Sequence, residues 1–243
     1  MNLSLLSEYT PDFIRQRIAE LPFVQDMKWI LRNARKNRFR PKSIFDVGAY
    51  EGEWSALVRS VFPDSEIVLI EPQRDVRSVL EQKCRDDPTK RFIPKLLGAT
   101  NGEKVAFHEQ GSVSTVLSGE GVDQSDVYKL QTVTLDRLIE EYTIPPPDFL
   151  KLDVQGYELE VLRGGKNLLL ENPPEMILME VSLIDCIGGA PLLPDVCSFM
   201  DERGYRPYDL CTFYRRPLDD ALWQIDMFFV HTSSSLVASS AYR

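Results

Sequence analysis

Residues 44–55 read IFDVGAYEGEWS: a short apolar run interrupted by Asp46, then two glycines, Gly48 and Gly52, four positions apart. An apolar run ending in a glycine turn and followed by a helical pattern marks a buried strand, a tight turn and the start of a helix. Gly48 can take a backbone conformation closed to other residues, and Gly52 lets the next helix N-terminus approach a ligand. The spacing D-x-G-x-x-x-G is not the G-x-G-x-x-G of dinucleotide sites, so it gives little support to a pyrophosphate cradle. Taken alone, the turn could equally serve close packing.

Outward from this turn, short apolar runs alternate with helical segments, which is the pattern of a parallel sheet flanked by helices. The strand candidates are SIFDVG, EIVLIEP, RFIPKLLGA, KVAFHE, DFLKLDV, EMILMEV, YRPYDL and WQIDMFFVH. Helices are expected near residues 54–61, 76–84, 135–141, 158–170 and 195–203, with Gly164 and Gly165 as a helix stop in the left-handed conformation. Residues 111–126, GSVSTVLSGEGVDQSD, read as one long loop. Thr10-Pro11-Asp12 opens a first helix and residues 24–38 carry a second, amphipathic one. The expected organisation is a helical extension over 1–42, the main domain over 43–232 and a frayed tail over 233–243.

The whole chain sets bounds on function. At 243 residues, 43% hydrophobic and 27% charged, it can bury a full α/β core without staples. A net charge of -9 argues against nucleic acid and anionic membrane surfaces as partners. RNARKNRFRPK, residues 32–42, is a local exception, read first as a solvated helix end. Four separated cysteines form no C-x-x-C pair, so neither a zinc site nor a dithiol motif is indicated. The N-terminal residues carry no signal-peptide pattern, and no window approaches about 18 apolar residues. The expectation is a soluble cytoplasmic protein with no membrane insertion.

The second strand sharpens the reading of the turn. EIVLIEP places Glu71 at its carboxyl end, nineteen residues beyond Gly52, where doubly wound folds put the acid that holds two ribose hydroxyls. Asp46 would repel a pyrophosphate but suits an amino-acid moiety and a sulfonium. A nucleoside cofactor of the polarity of S-adenosylmethionine fits better than NAD.

FDVGAYEGEWS, VLIEP, LGATNGEKVAFHE with the following SVSTVLS, and above all TVTLDRLIEEYTIPPPDFLKLDVQGYELEVLRGG with ILMEV, resemble the FkbM type of S-adenosylmethionine-dependent methyltransferase over residues 43–181. The resemblance implies an α/β fold: a class I methyltransferase (Rossmann-like) doubly wound sheet, mostly parallel with one antiparallel strand. It also implies methyl transfer, usually to a hydroxyl oxygen. On these positions it assigns Asp46, Gly48, Ala49, Tyr50, Glu51 and Gly52 to the methionine end and sugar of the cofactor, and Glu71 to the ribose. Ser114 and Thr115 would lie near the cofactor or the acceptor mouth, and Asp153 would face the transferred methyl or the acceptor hydroxyl. Tyr50 stands where many members have asparagine, so only backbone contacts carry over there.

Transfer of a methyl from a sulfonium requires alignment and, for a sugar or aliphatic hydroxyl, a base. Asp153 is the first choice, with Glu158, Glu180 and Asp185 as alternatives. His108, one of two histidines, reads as a packed strand residue. A divalent metal on Asp153 with Glu180 or Asp185 is a less favoured second mechanism. Gly188 and Gly189 could belong to an acceptor lid. The expected acceptor is a hydroxyl of a small molecule or glycan, sugar or polyketide-like, and the amphipathic N-terminal helices offer a surface for a homodimer. Two other readings stay open: an NAD(P)-dependent oxidoreductase on a sugar nucleotide, and a cofactor-binding but catalytically idle partner protein.

Overall fold

In the computed structural model, which describes residues 26–116 and 127–239, the chain opens on helix α1 (Met27–Lys36) and strand β1 (Ser43–Val47). There follow α2 (Glu53–Val61), β2 (Glu66–Ile70), α3 (Arg77–Asp86), β3 (Lys90–Ile93), β4 (Leu96–Leu97), β5 (Lys104–His108) and β6 (Val127–Val133). Then come α4 (Leu135–Tyr142), β7 (Phe149–Leu152), α5 (Glu158–Arg163), α6 (Lys166–Glu171), β8 (Met176–Ser182), α7 (Leu193–Asp201), β9 (Tyr205–Arg215) and β10 (Leu222–His231).

Seven strands form the main sheet in the order β3-β2-β1-β7-β8-β10-β9. β10 runs antiparallel to both β8 and β9, while the neighbours from β3 to β8 pair in parallel. The chain winds outward from β1 to β3 and then returns to place β7 on the other side of β1. The strand order reverses between β1 and β7, and at such a switch point a crevice opens beyond the carboxyl ends.

Because β1 is buried on both faces, its alternate residues feed two cores. Phe45 and Val47 join Ile70, Leu152 and Met179 against α4, α5 and α7. Ile44 joins Ile67, Leu69 and Phe149 against α1 and α2. Helix α1 starts at Asp26, whose carboxylate accepts the Trp29 N–H at 2.7 Å, and it buries Ile30, Leu31 and Ala34. The helix expected from Thr10 lies outside the described residues.

Three elements differ from the sequence reading. RFIPKLLGA is two strands: Pro94, with no N–H to offer a ladder, separates β3 in the main sheet from β4. The latter belongs to a second sheet of order β4-β6-β5, whose β6 has no counterpart among the strand candidates. The helix expected over 158–170 is broken into α5 and α6 at Gly164 and Gly165, whose φ angles are -78° and -110°, not left-handed. Gly164 is needed for close approach instead, since a Cβ there would lie 2.2 Å from the Gly98 carbonyl oxygen.

Of the residues read as a loop, 111–116 are described and 117–126 are not. Of the tail, Ser234 Oγ donates to Glu175 at 2.7 Å and Leu236 is buried in the core; residues 240–243 lie outside the description. Among the described residues no helix is long and apolar enough to cross a membrane.

Candidate active site

The turn after β1 is fixed by its glycines and by β2. Gly48 has φ +74°, and a Cβ on it would fall 1.9 Å from the Asp153 carbonyl oxygen, so only glycine fits where the β1 turn meets the end of β7. Its N–H donates to the Ile70 carbonyl at 3.0 Å. Gly52, φ +77°, is the N-cap of α2 and packs against Leu69 and Leu80.

Glu71 stands just past β2 with 2% of its surface exposed. One oxygen accepts the Tyr50 N–H at 2.9 Å and the other the Gln73 N–H at 3.0 Å. Burial pushes its pKa up, against the pull of these amides and of Lys151. The Gln73 side chain donates to the same carboxylate, which still has acceptor capacity for a further donor. Tyr50 reaches Glu71 because its φ is +43°, in the left-handed region that asparagine enters more readily than a bulky residue. The position is therefore defined by where its backbone N–H points, which explains how tyrosine can stand in for asparagine.

Asp46 lies beneath the turn, fully buried. Ser55 Oγ donates to one of its oxygens at 2.7 Å, and Lys151 Nζ stands 3.1 Å from the other. Lys151, at the end of β7, also donates to the Gly48 carbonyl at 2.8 Å and lies 3.3 Å from Asp153 Oδ2. Burial opposes its charge, but Asp153 and Asp46 push its pKa up. The Asp153 side chain is 39% exposed, and Gln155 Nε2 donates to its Oδ1 at 3.0 Å.

These elements enclose a cavity of about 290 Å³ at the switch point. Gly48, Ala49, Tyr50, Glu51, Glu71, Ser114, Thr115 and Asp153 all line it, whereas Asp46 and Gly52 support the turn from behind. Sequence spacing did not single out Lys151, Trp54, Gln73, Leu97, Phe107, Tyr157 or Tyr214, which complete the wall. The Ser114 hydroxyl accepts the Gln110 N–H and donates to the Gly111 carbonyl, and Thr115 Oγ1 donates to the Gln155 carbonyl. Thr115 also pairs with the buried His108 through the backbone. The Ser114 hydroxyl thus closes the local turn, and the Thr115 hydroxyl ties the serine-bearing segment to the loop after β7.

The other carboxylates are differently employed. Glu158 accepts the Val154 and Gly156 N–H groups, and burial raises its pKa to about 7. Glu180, opposite Asp226 across β8 and β10, accepts from Gln224 at 2.8 Å; burial, then the charges of Asp153, Glu158 and Asp226, push it up to about 9. Asp185 accepts from Gly188 and Gly189, and those amides hold its pKa down; neither that loop nor Asp185 lines the cavity. Among the described residues no group of three or more His, Cys, Asp or Glu is placed to hold a metal ion.

A doubly wound sheet with one reversed strand, a glycine turn after β1 and an acid after β2 has the architecture of a class I methyltransferase. A family model described as the methyltransferase FkbM domain matches residues 46–207, and the chain belongs to that family. A hexuronic acid methyltransferase of Haloferax volcanii is 23% identical over 167 residues, 68% of each chain. A solved FkbM methyltransferase from Methylobacillus flagellatus superposes with TM-score 0.50 at 17% identity, over 76% of this chain. The match spans only 43% of that solved chain. Magnesium protoporphyrin IX methyltransferase from Synechocystis, solved with its cofactor, is similar at TM-score 0.49 and 10% identity, over 94% of this chain and 88% of its own.

Proposed function

We propose that this protein is an S-adenosylmethionine-dependent O-methyltransferase acting on a hydroxyl of a small molecule or glycan. The observation that carries the reading is Glu71: a buried carboxylate in the cleft wall, oriented by two backbone N–H groups and the Gln73 side chain, whose two oxygens form an acceptor pair. A ribose with vicinal hydroxyls matches that acceptor pair. Leu97 and Phe107 supply apolar wall for a base, and the backbone of residues 48–51 supplies the surface for the methionine end.

When bound, the cofactor supplies an electrophilic methyl group whose sulfur leaves as a thioether. This chain's residues align the acceptor and manage its proton. Asp153 projects into the same cavity as Glu71 and takes the hydroxyl proton as the new O–C bond forms. Tyr157 and Tyr214 stand in the wall with Asp153 and offer ring faces to a sugar or polyketide-like acceptor. The acceptor named for the Haloferax relative, a hexuronic acid, makes sugars the first panel to test.

Calorimetric titration with S-adenosylhomocysteine and with NADH, followed by transfer of labelled methyl to neutral glycosides and uronic acids, checks the reading. Micromolar binding of the first ligand alone, and label in an acceptor, are expected; absence of S-adenosylhomocysteine binding would sink the proposal. Glu71→Gln, which keeps the shape but loses the charge, is expected to weaken that binding by about 10- to 100-fold, the cost of charge-assisted hydrogen bonds. Unchanged affinity would remove Glu71 from the ribose site.

A further inference from the structure

Lys151 closes the inner end of the cleft, and nothing in the sequence pattern marked it. Its Nζ donates to the Gly48 carbonyl at 2.8 Å and stands at ion-pair distance from Asp46 Oδ1, 3.1 Å, and Asp153 Oδ2, 3.3 Å; Asp46 Oδ1 is buried with Lys151 as its counter-charge and no hydrogen-bond donor among the described residues. The remaining oxygens are also engaged, Asp46 Oδ2 by Ser55 and Asp153 Oδ1 by Gln155. We propose that Lys151 is a positioning residue, a buried ammonium that ties the Gly48 turn and Asp46 to Asp153 and keeps the Asp153 carboxylate a hydrogen-bond acceptor aimed into the cleft. The inference rests on the methyltransferase reading, because it assigns Lys151 its role through the proton that Asp153 takes.

The surroundings of Asp153 show why it needs such a partner. Glu180 on β8 and Tyr214 on β9 hold their protons at neutral pH and add no charge, while Glu158 at the start of α5 and Asp226 on β10 interact with Asp153 as like charges once ionised. Lys151, on the strand that Asp153 follows, opposes them, while Asp46 on β1 shares its charge. If protonated, Asp153 would be a donor and could not receive the hydroxyl proton of the acceptor. A lysine that merely neutralised Asp46 would leave Asp153 indifferent to its removal.

The two roles separate in Asp46→Asn/Lys151→Met, which removes both buried charges together and so avoids the unpaired carboxylate that Lys151→Met alone would leave. The full-length chain, carrying ¹³C in its aspartate carboxyl carbons, is titrated by NMR, and the Asp153 signal is identified by its loss in Asp153→Asn. In the double variant that signal is expected to titrate about one pH unit or more above its wild-type position. The fold of the double variant is checked by a cooperative melting transition rather than by cofactor affinity, because Asp46 and the Gly48 turn belong to the cofactor cradle. An Asp153 titration that coincides with the wild type's, in a double variant that melts cooperatively, overturns the role of Lys151 and leaves the function standing. A wild type that binds no S-adenosylhomocysteine defeats the methyltransferase reading, and this role with it.

Discussion

Asp153→Asn is expected to lower the methyl-transfer rate by about 10²- to 10⁴-fold, the usual span for loss of a positioned general base. That loss corresponds to about 2.7–5.5 kcal/mol of barrier. The alternatives to Asp153 are disqualified one at a time by their surroundings. Glu180, with a pKa of about 9, carries its proton at neutral pH and can donate but not receive. Glu158 spends one oxygen on two backbone amides and does not line the cavity. Asp185 stitches its own loop. Asp153 combines exposure to the cavity with two side-chain donors that hold its orientation. Asparagine matches its shape and retains one acceptor, so S-adenosylhomocysteine affinity should hold within about threefold, and the effect falls on the rate of transfer. Single-turnover transfer to the acceptor found with labelled methyl measures it; a rate within about threefold of wild type would exclude Asp153 as the base.

What the sequence disclosed and what it withheld follow from how far each feature reaches along the chain. The strand, turn and helix of residues 44–61 and the acid after β2 are local patterns, and their alternation along the chain implies a parallel sheet, though not its strand order. Lys151 shows the limit. In LKLDV it reads as one polar residue in an apolar run, and only the pairing of β7 with β1, Asp46 opposite Lys151 in register, makes it the partner of a buried acid. Asp46 could be placed beneath the turn and recognised as unsuited to a pyrophosphate, but its pairing with Lys151 could not be read along the chain. Strand β6 was illegible because its exposure alternates and only Thr132 is buried, so VYKLQTV carries little apolar signal. Tyr214 is far from the turn in sequence and reaches the cavity only because β9 sits at the sheet edge beside the reversed β10.

Glu180 gives the molecule a pH dependence of stability that is opposite to acid denaturation. Its folded pKa, about 9, is raised above the ordinary value of 4.5, chiefly by burial and then by neighbouring carboxylates. The folded state therefore holds a proton that the unfolded state releases. The stabilisation is fully present below the unfolded pKa and is lost as pH rises toward the folded one, at up to about 1.4 kcal/mol per pH unit. Asp226, raised to about 6, and Glu158, raised to about 7, act in the same direction lower in the range. Asp87 and Asp185, whose pKa values are lowered, contribute only where acid protonates them and do not offset the trend near neutrality. From pH 6 to pH 8, Glu180 alone accounts for a loss on the order of 2–3 kcal/mol. Glu180→Gln keeps an acceptor for the Gln224 amide and removes the titration. It should melt above the wild type already at pH 6, because the unfolded carboxyl ionises from about 4.5 upward, and roughly 5–10 °C further above it at pH 8, given about 2–4 °C per kcal/mol for a chain of this size. Equal melting temperatures at both pH values, or a variant less stable at pH 8, would show that the Glu180 carboxyl is ionised in the folded protein.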